Sequence, residues 1–261
     1  MYLSNSLRWP TTQFQRRGLA AAGVLLVGAA LWAAVPPDAE PLDPDDADAE
    51  EVAAPAGPVV PVAPAKPGAV RCANLIYADN KSSVCFSSEF MSQIMRDSHV
   101  QTNSRLTAVN LESADIYQFP FAVMTGEGAF TLTQSQRDNL RSYLSNGGFL
   151  VASAGCSSAP WSSSFLSEIA IVFPELKLTR LEQSHPVFHT IYDIDRLDCK
   201  KSSGQAHLEG LEIDGKIVLV FSRDGLNDTA KAGGQCCCCG GNEIANSRQV
   251  NVNLLAYALT H

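Results

Sequence analysis

The stretch Asn146–Cys156, N-G-G-F-L-V-A-S-A-G-C, leaves few folds open to this chain. Gly147 and Gly148 stop the helix that precedes them, because glycine alone enters the left-handed C-terminal cap at no cost. Phe149–Ser153 carries no charge on either face, so both faces must be covered, as in a parallel sheet between helices. Ala154-Gly155-Cys156 then breaks the strand, and a serine-rich segment opens the next helix. The unit is strand, turn, helix, with a thiol at the carboxyl tip. Ligands of open α/β sheets lie outside the carboxyl ends of the strands. Cys156 is therefore expected where such folds place their chemistry.

The surrounding sequence repeats this alternation. Cys72–Tyr77, Leu106–Leu111 and Phe119–Thr125 read as strands, and Phe86–Arg96 spaces its apolar residues at helical intervals. Thr133 with Gln136 matches a capping box, which predicts a helix from Thr133 to Gly147. Ser162–Phe173 reads as a helix ended by Pro174, and Leu176–Leu181 as extended. Leu208–Ile213 and Lys216–Ser222 are strands joined by Asp214-Gly215, a type I′ hairpin signal. Ser247–Leu259 reads as a closing helix. The expected class is α/β: three layers, a mostly parallel sheet flanked by helices, a late β-hairpin at one edge and a long Cys-rich loop over 223–246.

The amino end is of another kind. Residues 1–17 precede an uncharged span, 18–35, near the lower limit for a membrane-crossing helix. Arg8, Arg16 and Arg17 lie before it. Eight acids and no base follow between Asp38 and Glu51. The positive-inside rule then leaves the short amino end in the cytoplasm and the bulk extracytoplasmic, on the periplasmic side. The rival reading is export with signal cleavage, although Trp32 crowds the small-residue site near Ala34. Residues 36–70, rich in Pro, Ala and acids, are expected to be a stiff, disordered linker. The globular domain is 71–261. The net charge is −8, and residues 67–261 hold 15 Lys+Arg against 19 Asp+Glu. An acidic domain without a basic stripe is a poor nucleic-acid binder, so no nucleic-acid partner is expected.

Four segments together resemble a known family: T-G-E-G-A-F-T-L-T at Thr125–Thr133, the run Leu140–Ala152, H-P-V-F-H-T-I-Y-D-I at His185–Ile194, and the ending V-N-L-L-A-Y-A-L-T. They resemble the bacterial family of domain of unknown function 4159, from about Arg71 to His261. That family is similar to the class I glutamine amidotransferase-like, flavodoxin-like fold. The resemblance implies architecture more than chemistry, and a membrane-linked, extracytoplasmic setting.

In the amidotransferase-like pattern a nucleophilic Cys sits on the strand-to-helix turn, and a His-Pro pair follows later in the chain. The resemblance puts Cys156 and His185 in those places, with Val187 where the orienting acid belongs. Glu127, in the turn Thr125-Gly126-Glu127-Gly128, is a third catalytic candidate, placed at the crevice where it could act as an acid, a base or a ligand, and the turn's backbone amides offer a small anion-binding nest. His189, Tyr192 and Asp195 cluster closely enough to line a small-molecule pocket. Cys236-Cys237-Cys238-Cys239 leaves Cys236 and Cys239 with C-x-x-C spacing. Zinc held by that pair with Cys199, disulfides, and redox-active thiols all remain open there. Cys72 and Cys85 are candidates for a structural disulfide.

The expected function is a membrane-tethered binding or assembly domain without conventional catalysis, for an unidentified small molecule or protein. A cysteine-dependent hydrolase using Cys156 and His185 is the first alternative. A metal-binding or redox domain built on the cysteine run is the second.

Overall fold

The structure, a computed structural model, describes residues 68–79, 81–82, 85–228 and 243–261. The uncharged span 18–35, residues 36–67 of the expected linker and the Cys236–Cys239 run lie outside the described residues; at the linker's end Val70 already pairs with Thr102 in a parallel bridge. Seven strands form one sheet: β1 (Cys72–Ile76), β2 (Thr107–Asn110), β3 (Phe121–Gly126), β4 (Phe149–Ala154), β5 (Thr179–Arg180), β6 (Glu209–Ile213) and β7 (Lys216–Ser222). Their spatial order is β2-β1-β3-β4-β7-β6-β5. The ladder from β2 to β7 is parallel. Only β6 and β5 run antiparallel, at one edge. The hairpin turn is as expected, with Asp214 at φ 50° and Gly215 at φ 78°, the signature of a type I′ turn.

Helices cover both faces. α1 (Glu89–Ser98) and α4 (Ser247–Thr260) pack on one, against Phe121, Val123, Val151 and Val220. α2 (Gln134–Ser145) and α3 (Ala159–Val172) pack on the other, against Ala122, Leu150, Ala152 and Phe221. Every residue of β3 and β4 is buried. This double cover explains why the two segments are apolar without alternation. The capping box of α2 forms as read from sequence: Thr133 Oγ1 accepts from Gln136 N–H, and Gln136 Oε1 accepts from Thr133 N–H.

Two boundaries move. α3 starts at Ala159, not Ser162, because Ser158 Oγ accepts from Trp161 N–H and Pro160 fits a first helical turn. α1 starts at Glu89, not Phe86. Ser87 Oγ accepts from Glu89 N–H, and Phe86 turns into the core ahead of the helix.

At the end of β3 a Cβ on Gly126 would lie 2.3 Å from the Tyr77 hydroxyl and 3.0 Å from Trp161 Nε1. Gly126→Ala is therefore expected to cost about 1–3 kcal/mol through overpacking, read as a lower denaturant midpoint at unchanged m-value.

Candidate functional site

Three chain segments meet beyond the carboxyl ends of the central strands. The first is the turn after β3. Thr125 is fully buried, Tyr77 donates its hydroxyl hydrogen to Thr125 O at 3.1 Å, and Trp161 Nε1 donates to that hydroxyl at 2.6 Å. Glu127 is exposed, and Gly128 adopts φ 72° while its N–H donates to Ser158 Oγ at 3.2 Å. The second is the break after β4. A Cβ on Gly155 would lie 2.9 Å from Gly126 O, so the two turns touch backbone to backbone. Cys156 (φ 50°) and Ser157 (φ 53°) then occupy the left-handed region in succession. A residue with a Cβ pays roughly 1–2 kcal/mol there. Such strain collects at functional turns. The Cys156 thiol donates to Glu127 Oε1 at 3.2 Å.

The third segment follows β7. Ser157 Oγ donates to Asp224 O at 3.1 Å. Gly225, at φ 90°, approaches so closely that a Cβ would lie 2.9 Å from Ala154 O. Cys199 pairs in an antiparallel bridge with Ile244, and its thiol is hydrogen-bonded to the Asp224 carboxyl. Burial pushes the Asp224 carboxyl above the usual carboxylate range, while His207, Cys199 and Arg223 pull it back. The Cys156 and Cys199 thiols thus sit near one rim, linked through residue 224. Asp224 and Ser157 were missed from sequence. The only signal was an Asp-Gly step directly after an apolar strand, which reads as an ordinary turn.

The Cys156–His185 pairing is not formed. His185 caps the short turn Pro186–Phe188, its Nδ1 accepting from Val187 N–H at 3.2 Å. Its ring lies 5.8 Å from Tyr257, and Tyr257 lies 6.1 Å from Phe149, the first residue of β4. Cys156 lies beyond the last residue of β4. Six residues of strand span about 20 Å, so the imidazole and the thiol stand at opposite ends of the sheet.

His189, Tyr192 and Asp195 do not converge on a pocket. His189 Nδ1 meets Asp193 Oδ1 at 3.1 Å and its Nε2 meets Gln183 O at 2.8 Å. The Tyr192 hydroxyl bonds Asp97 and Gln93 of α1. Asn253 of α4 accepts from the N–H groups of Ile191 and Tyr192 and donates to Tyr192 O. Asp195 is exposed. These bonds strap the loop onto α1 and α4.

Nor do Cys72 and Cys85 pair with each other. Cys72 is a buried free thiol at the amino end of β1, raised by burial to about 12. Cys85 follows the carboxyl end of β1 and is disulfide-bonded, with its partner outside the described residues.

Among the described residues no group of three or more His, Cys, Asp and Glu could hold a metal ion, and no helix is long and apolar enough to cross a membrane. Cys236 and Cys239 fall outside those residues. A cleft of ≈ 680 Å³ opens at the amino ends of β3 and β4, lined by Tyr117, Pro120, Tyr143 and Gly147 among others. Its lining includes no carboxylate, imidazole or thiol, and it lies at the end of the strands away from Cys156.

Alkylation in denaturant without reductant, followed by peptide mapping, is expected to label Cys72, Cys156 and Cys199 and to find Cys85 in a cross-linked peptide. A second expectation concerns acid. Burial lowers the His185 pKa below its ordinary 6.5. The unfolded chain then binds the proton more readily than the folded one, so stability falls as pH drops through 6.5. His185→Asn keeps an acceptor for Val187 N–H. It should flatten that fall in melting curves taken between about pH 7.5 and about pH 5.

No curated protein matches the chain at a significant level. The family described as Domain of unknown function (DUF4159) matches residues 71–259, which takes in every strand and nearly all of α4. The chain belongs to the DUF4159 family.

Proposed function

We propose that this chain is a membrane-tethered, extracytoplasmic binding or assembly domain with an amidotransferase-like fold, acting without a catalytic triad. The observation that carries the reading is the placement of His185 at the amino end of β4 while Cys156 stands at the carboxyl end. A nucleophilic thiol needs a base within hydrogen-bond reach. Cys156 donates its thiol hydrogen to the Glu127 carboxylate at 3.2 Å, and the imidazole that the triad pattern would pair with it lies at the other end of the strand. The rim is nevertheless built with care: two strained residues, two glycine-dependent backbone contacts and three converging segments. That expenditure suits a recognition surface for a small molecule or protein. The uncharged span 18–35, with arginines before it and acids after it, supports the tether.

The test is the reactivity of Cys156 in the full chain in detergent. Its iodoacetamide labelling at about pH 7 is expected to be no faster than that of an unstructured cysteine peptide. Acceleration of roughly tenfold or more marks an activated thiol and overturns the reading.

A further inference from the structure

Behind the rim, on the face covered by α1 and α4, the strands end in hydroxyls rather than hydrocarbon. Thr125 of β3, Ser153 of β4 and Ser222 of β7 are in register, and each has 0% exposure. Neighbouring strands stand about 4.8 Å apart, so the three hydroxyls form a short buried row. Leu226 N–H donates to Ser153 Oγ at 2.8 Å, and Ser153 Oγ donates to Asn227 Oδ1 at 3.0 Å. Asn251 Nδ2 of α4 donates to Leu226 O at 2.9 Å.

These bonds leave one atom of each amide over. The Ser153 hydroxyl accepts from Leu226 N–H and gives its own hydrogen to Asn227 Oδ1, which leaves Asn227 Nδ2 over. Because Leu226 O can only accept, Asn251 must give it Nδ2 and turn Oδ1 away. Asn227 Nδ2, Asn251 Oδ1 and Thr125 Oγ1 are all buried, and none has a hydrogen-bond partner among the described residues. One is a donor only, one an acceptor only, and one is both. A buried water makes about three such bonds, and this set supplies them with matching polarity.

We infer that the space behind the Cys156 turn is a hydration site. One buried water, or a hydrogen-bonded pair, joins Thr125, Asn227 and Asn251 and so ties β3, the loop after β7 and α4 together. That loop carries Asp224, whose carbonyl receives the Ser157 hydroxyl. The water therefore supports the strained turn from behind. It is a ligand in the ordinary sense, held by named side chains inside the domain.

Two measurements test this on the full chain. A crystal structure sharp enough for ordered solvent is expected to show water within hydrogen-bond distance of at least two of the three atoms. Thr125→Val, which removes the hydroxyl at nearly constant shape, is expected to lower Tm by about 2–4 °C. A dry site in the wild-type map overturns the inference. So does a Thr125→Val variant that melts at or above the wild-type temperature, since losing a hydroxyl without a partner costs nothing.

Discussion

Everything in this domain hangs on the central parallel ladder β3–β4–β7, sealed from water on both faces. A strand buried on both faces can spend all its side chains on packing, and its backbone polar groups are satisfied by its neighbours. The difficulty comes where the strands stop. There the chain must reverse while still against the core, and the groups that turn it must fit between helices. The glycines at 126, 155 and 225 answer that need by letting backbone lie against side chain or backbone at 3.0 Å or less from where a Cβ would stand. The hydroxyls of Thr125, Ser153 and Ser222 mark the level at which hydrocarbon gives way to polar atoms.

The same constraint concentrates strain at one place. Cys156 and Ser157 take left-handed conformations without being glycine. They are held there by Gly126 O in front, Ser158 capping α3 beyond, and Asp224 O beside them. A turn over-determined in this way keeps its geometry whatever occupies the rim, which suits recognition by shape and hydrogen bonding. The opposite end of the sheet carries the imidazole of His185, tilted against the Tyr257 ring as packing. Topology thus separates two residues that the chain order alone made look like partners.

Much of the architecture was legible in the residues. Phe149–Ser153 announced a strand covered on both faces, Thr133 and Gln136 announced the start of α2, and Asp214-Gly215 announced the hairpin. Each is a local effect: an apolar run, a side-chain cap, a positive φ. The α3 start was misplaced because Ser158 and Pro160 were read as loop, although they are the cap and first turn. The site was half legible. Glu127 and Cys156 were named from strand-end position, and they meet. Asp224 and the buried pair Asn227 and Asn251 were not named, because polar residues after a strand look like any surface loop until a partner is placed over them.

By itself the sequence determined which segments are strands and helices and which residues end the strands. These follow from periodicity, capping and composition, which act over a few residues. Only the tertiary structure decided which tips share a rim. It put His185 against Tyr257, near the start of β4, and left Cys156 at the far end, it kept Cys72 from Cys85, and it turned the His189–Asp195 stretch into a strap over α1 and α4. The reason is geometric. A strand carries a side chain about 3.3 Å per residue along one direction, so closeness between distant residues depends on which end of which strand each one joins, and no local pattern encodes that.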